Sequence, residues 1–181
     1  MFGACVVVGH HTASIMVSGE GSWLEAEGCM VREAAWGAVL VREGGSASLT
    51  ACQLTGSKKG TGLSVSYPGS RVTAKQCSMS ANGGCGCNVF SAASVELLSC
   101  TLSGNSMSSL NALDADSTVV AKECSMSGNV EWGVSAWSGA RLHLVNNGMH
   151  GLQVSGAGSA VHLQGVWRAR DGSRVCGADR L

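Results

Sequence analysis

Asp114 and Asp116, two residues apart, are the carboxylates best spaced in this chain for hydrolytic chemistry. Glycoside hydrolysis needs two carboxyls about 5 to 10 Å apart across the scissile bond, one to protonate and one to attack or activate water. The segment that carries them also reads as a turn, where aspartate recurs because its side chain bonds nearby backbone. His143 and His162 are imidazoles that would titrate near neutrality or supply part of a metal shell. A zinc site takes converging ligands such as paired CxxC motifs. Of nine cysteines only Cys85 and Cys87 lie close together, and they lack a second pair, so neither metal nor cofactor is implied. No GxSxG, phosphate-loop or HExxH motif occurs.

The placement of these groups depends on a periodicity. Cys5, Cys29, Cys52, Cys77, Cys100 and Cys124 follow one another at steps of 24, 23, 25, 23 and 24 residues. Such self-similarity marks a stack of repeated units. Five residues before the cysteines stand Leu24, Ala47, Val72, Val95 and Val119, and three before stand Ala26, Leu49, Ala74, Leu97 and Ala121. Two after them stand Val7, Val31, Leu54, Met79, Leu102 and Met126. The phase continues without cysteine through Leu142, Leu144, Asn147 and Met149, then Val161, Leu163 and Val166. A further apolar segment precedes each unit: GAVLV from Gly37, GLSVS from Gly62, GCNVF from Gly86, GVSAW from Gly133 and GLQVS from Gly151.

Within each segment apolar and polar residues alternate, as in strands with one buried face. The expectation is an all-β, single-stranded parallel β-helix of about seven coils, each of roughly 23 residues and three short strands. Equivalent strands then stack about 4.8 Å apart. The six spaced cysteines become a column of buried thiols acting as small core hydrophobes. Asn82, Asn105 and Asn129 recur at one turn and predict an asparagine ladder.

The same phase selects outward residues. On the first strand they are Val39 and Val41, Ser64 and Ser66, Asn88 and Phe90, Asn111 and Leu113, Ser135 and Trp137, then Gln153 and Ser155. None is acidic, basic or histidine. Asn88, Asn111 and Gln153 share one column, with Phe90, Leu113 and Trp137 in the next. Amides beside exposed rings suit a sugar, and the same residues suit a protein partner, where aromatic anchors dominate. Outward on the second strand are Glu25, Ser48, Thr73, Glu96, Val120, His143 and His162, which puts the two histidines in adjacent coils. Trp36 and Trp132, each directly before a strand-opening glycine, are expected to pack into corners.

Units such as GLSVSYPGSRVTAKQCSMSANG, SVELLSCTLSGN and STVVAKECSMSGN resemble the right-handed parallel β-helix repeats of the pectin-lyase-like superfamily. The resemblance covers roughly residues 1 to 166 and leaves 167 to 181 as a charged tail or end cap. It implies a solenoid of the kind found in carbohydrate-binding proteins and sugar hydrolases, and also in non-enzymatic recognition proteins. One scaffold of this kind hosts many unrelated sites.

Twelve basic and twelve acidic residues balance, with no basic run, which excludes an electrostatic nucleic-acid footprint. No apolar stretch approaches 18 residues, so no membrane-spanning helix is expected. The N-terminal MFGACVVVGHH lacks a basic leader region, which predicts no secretory signal and a reducing, cytoplasmic setting for the thiols. In the repeat register Cys5 belongs to the third strand of an incomplete coil, and an uncovered coil edge predicts end-to-end self-association. Cys176 in the tail is the thiol expected to be exposed. The reading that follows is a non-catalytic repeat module presenting a strand face to a glycan or protein. The alternatives are a degenerate carbohydrate-active enzyme using Asp114 and Asp116, and a structural solenoid fragment.

Overall fold

The computed structural model describes residues 2–3, 5–9 and 12–168. Among these residues every regular element is a strand and every strand pairing is parallel. The chain winds through three faces in turn. One face holds seven strands: Ala13–Ser18, Gly37–Arg42, Thr61–Ser66, Cys87–Phe90, Leu110–Ala112, Val134–Trp137 and Leu152–Ser155. A broad face of eight runs from Phe2–Gly3 through Trp23–Glu27 to Ala160–Gln164. The third face is made of two- and three-residue strands, linked through its middle by the single bridges Gln53 to Ser78, Ser78 to Thr101 and Thr101 to Ser125. Pairing on this face extends to Trp167–Arg168, two residues past the expected end of the repeats.

The coils stack in register, so residues of one phase form continuous columns. On the broad face Leu24, Ala47, Val72, Val95, Val119, Leu142 and Val161 pair in succession, as do Ala26, Leu49, Ala74, Leu97, Ala121, Leu144 and Leu163. Most of these side chains are buried, and with Val31, Leu54, Met79, Leu102 and Met126 they fill the interior. Each fully buried leucine contributes roughly 1.5–3 kcal/mol of transfer free energy.

The corner after the broad face is built the same way in coil after coil. From Cys29 onward, the residue before each spaced cysteine has left-handed backbone: Gly28, Ala51, Gln76, Ser99 and Glu123, then Asn146 before Asn147, with φ between 51° and 62°. Left-handed geometry costs non-glycine residues roughly 1–2 kcal/mol, so packing must hold it. Lateral bonds continue through the bend: the amides of Ala51, Gln76, Ser99 and Glu123 donate to the carbonyls of Lys75, Leu98, Lys122 and Val145, each at 2.9 Å. Elsewhere the backbones come so close that only glycine fits. A Cβ on Gly60 would lie 1.2 Å from the Trp36 carbonyl oxygen.

At the corner opposite, Asn82, Asn105 and Asn129 form the expected ladder. The amides of Ser57, Asn82 and Asn105 donate to Oδ1 of the asparagine in the next coil, at 3.1, 3.0 and 2.9 Å. Nδ2 of Asn82 and of Asn105 donates back to the Leu54 and Met79 carbonyls, both at 3.1 Å. A buried polar group left without a partner costs about 1–3 kcal/mol. Asn105→Ala orphans the Asn82 amide and the acceptor role of Met79, and is expected to lower stability by about 2–4 kcal/mol. Denaturant unfolding beside Asn88→Ala, which removes a surface amide and should cost under about 1 kcal/mol, checks this.

Candidate functional site

The seven-stranded face carries the residues proposed for binding, and its register corrects one part of the sequence reading. Val39 and Val41 pair with Leu63 and Val65 and are buried. The outward residues of that coil are Leu40 and Arg42, paired with Ser64 and Ser66. The run Ala38-Val39-Leu40-Val41 contains no polar residue, so alternation could not set its phase. Gly37, taken as the equivalent of Gly62, in fact pairs with Thr61. The face therefore does hold a cation, Arg42, whose Nε lies 3.8 Å from Glu43 Oε1.

The remaining first-strand residues fall in the expected columns, although Ser66 and Ser135 are buried rather than exposed. Ser64, Asn88, Asn111, Ser135 and Gln153 form one column, and Ser66 pairs with Phe90 in the next. Trp137 and Ser155 continue that second column, and Leu113, one residue beyond Ala112, falls between Phe90 and Trp137. Phe90, Leu113, Trp137, Asn88, Asn111 and Gln153 are all half-buried. The column is polarised along its length. Ser135 Oγ donates to Asn111 Oδ1 at 2.9 Å, and Asn111 Nδ2 donates to Asn88 Oδ1 at 3.1 Å. This leaves the Asn88 side-chain amide N–H groups without a partner among the described residues, beside the Phe90 ring.

Asp114 and Asp116 are exposed and both have left-handed backbone, with φ of 70° and 63°. Asp114 Oδ2 accepts the Ser91 amide of the neighbouring coil at 3.1 Å, which ties two turns together. His143 and His162 do meet across adjacent coils, with ring centroids 4.8 Å apart and planes at 89°. Among the described residues no group of three or more His, Cys, Asp or Glu is placed to hold a metal ion. Lys122 reaches Glu96 at 3.8 Å. Trp36 is 62% exposed rather than packed in its corner, because the tight approach there involves its backbone carbonyl and not its ring. Trp132 does pack inward, its ring 2.9 Å from where a Cβ on Gly151 would stand.

The cysteine column is more polar than small-hydrophobe packing implies. The eight described cysteines are thiols, none in a disulfide. The Cys52 and Cys100 amides donate to Sγ of Cys77 and Cys124 at 3.4 Å. Cys52, Cys77 and Cys100 donate to the Ala26, Leu49 and Ala74 carbonyls at 3.4–3.5 Å. Asn147 makes the same pair of bonds, accepting from the Cys124 amide and donating to the Ala121 carbonyl, both at 2.8 Å. The thiol is thus a weaker version of the corner asparagine. The substitution at 147 was the signal in the sequence. Cys176 lies outside the described residues.

These features define a three-sided parallel β-solenoid whose surface is a set of flat, columnar strand faces. No curated protein matches the chain in sequence. The family described as right handed beta helix region matches residues 13–166, and the chain belongs to it. Among solved structures, trypsin-treated QnrB1, a plasmid-mediated fluoroquinolone resistance protein, aligns over 86% of this chain and 91% of that one at 14% identity. The TM-score is 0.20, too low for that likeness to bear on the site.

Burial, followed by the neighbouring Cys85 and Cys100 thiols, pushes the Cys87 thiol well above its ordinary range. An unfolded-chain thiol titrates near ~8.5, so above that pH the folded chain holds protons the unfolded chain has lost. This stabilisation is complete below ~8.5 and is lost as pH rises towards the folded value. Under reducing conditions the urea midpoint is expected to fall between pH 7 and pH 10, and Cys87→Ala to make that fall shallower. A flat midpoint across this range contradicts the assignment.

Proposed function

We propose that this protein is a non-catalytic recognition module that binds a neutral glycan on its seven-stranded face. The observation that carries the reading is that two unlike columns run side by side, two residues apart along each strand: hydrogen-bonding amides through Asn88, Asn111 and Gln153, and the apolar stripe of Phe90, Leu113 and Trp137. A pyranose offers the matching combination, hydroxyls at its rim and an apolar C–H face. Lateral hydrogen bonds hold Asn88 and Asn111 in place before a ligand arrives, which reduces the ordering cost of binding. The unpartnered Asn88 donors are available to hydroxyl oxygens next to a ring on which the sugar would stack. Between Ser64 and Gln153 neither column contains a charge, which favours a neutral ligand.

A protein partner is the second reading. It is favoured by Leu113, which extends the stripe between the two rings and offers nothing to a sugar hydroxyl. Asp114, engaged with the Ser91 amide, is better explained as a link between turns than as a catalytic acid.

A glycan array probed with the chain beside a Phe90→Ala, Trp137→Ala double variant tests the reading. Selective binding of neutral oligosaccharides is expected, weakened at least tenfold in the variant and unchanged by Asp114→Asn with Asp116→Asn. Absence of glycan binding by folded wild-type protein overturns the glycan reading. Binding that survives the double variant displaces it from this face.

A further inference from the structure

The cysteine column is uniform except at its first rung. Cys29, Cys52, Cys77, Cys100 and Cys124 are buried, whereas Cys5 is partly exposed. Cys5 lines an apolar cleft with Val7, Ile15, Leu24 and Ala26. Its Sγ donates to Cys29 Sγ at a separation of 2.9 Å. A disulfide bond is about 2.05 Å long, so closure asks the sulfurs to approach by about 0.9 Å. Register sets the Cα atoms in range, and closure also draws the Cβ atoms in from about 4.8 Å towards the usual ~3.5–4.5 Å. Val6 pairs with Met30 directly after the two cysteines, which sets their Cα atoms near the inter-strand spacing of ~4.8 Å, inside the disulfide range of ~4.4–6.8 Å. Cys29 donates to the Glu27 carbonyl at 3.6 Å, as the inner thiols donate to carbonyls, so Cys5 is set apart by its partial exposure alone.

We propose that Cys5 and Cys29 form a thiol–disulfide site, entered at Cys5 by a small disulfide oxidant of the glutathione type, whose closure staples the first coil to the second. In the first step the Cys5 thiolate attacks one sulfur of oxidised glutathione and expels one glutathione thiolate, which takes up the proton Cys5 lost. In the second, Cys29 gives up its proton and attacks Cys5 Sγ. The mixed disulfide breaks, and the second glutathione leaves with that proton. Two protein thiols are oxidised to one disulfide, and one glutathione disulfide is reduced to two thiols. The hydrogen bond to Cys29, followed by burial, holds the Cys5 thiol above its ordinary range, so entry is slow. The staple closes one whole coil, beside the pairing of Val6–Val8 with Met30–Arg32.

The full-length chain is incubated with oxidised glutathione, acid-quenched, and its disulfides and thiols are mapped by mass spectrometry. A Cys5–Cys29 cross-linked peptide is expected, with Cys52, Cys77, Cys85, Cys87, Cys100 and Cys124 alkylated only after unfolding. Cys5→Ser, a change at a partly exposed position, is expected to abolish the cross-link and leave Cys29 reduced. Cys29→Ser is expected to trap one glutathione on Cys5. Three results overturn the proposal: Cys5 unreacted in the wild-type chain, oxidation that stops at glutathionylated Cys5, or a cross-link from Cys5 to Cys176.

Discussion

In-register parallel pairing between coils is the constraint from which the rest of this molecule follows. Residues one repeat apart lie about 4.8 Å apart along the stack, so any property of one phase is multiplied into a column. Apolar phases make a continuous core. Polar phases inside the coil must then bond to one another, because no water reaches them. The two inner corner columns meet this demand in two chemistries. Asparagine supplies an acceptor and a donor with full amide strength at residues 82, 105 and 129. Cysteine supplies the same pair of roles at longer distances, until Asn147 replaces it with shorter bonds.

The same multiplication shapes the exterior. A surface residue on a solenoid face has a neighbour above and below, so binding chemistry comes in stripes rather than clefts. On the seven-stranded face the stripes are an amide column and a short aromatic–aliphatic column, and the amides are oriented by their own lateral bonds. On the broad face the stripe ends in two histidines with edge-to-face rings. Along the cysteine column one thiol, Cys5, differs from the others in its exposure. Function on such a scaffold belongs to particular columns, and the family assignment alone does not specify it.

Much of this architecture was legible in the residues. The cysteine period and the three apolar phases locate the strands of the broad and third faces, because burial selects residue type there. Asn82, Asn105 and Asn129 announced their ladder. The phase of Gly37–Arg42 was not legible, because Leu40 breaks the polar alternation that marks a face. Nor was the left-handed corner: Ala51, Gln76, Ser99 and Glu123 share no side-chain property, and the bend is imposed by stacking rather than by local preference. From Ser64 onward the strand register was legible in the alternation of residue types, whereas the burial of Ser66 and Ser135 was not. The direction of their hydrogen bonds, which leaves the Asn88 donors open, required the three-dimensional arrangement.

Side chains in the corner columns satisfy the backbone amides where the chain turns. Native-state hydrogen exchange measures this directly at the amides of Ser57, Asn82, Asn105 and Cys124, each of which donates to a side chain in the next coil. The account predicts that these four amides exchange as slowly as those of the core strands, for example Val72 and Val95. Exchange at the rate of an open loop, with the strand amides still protected, would contradict it.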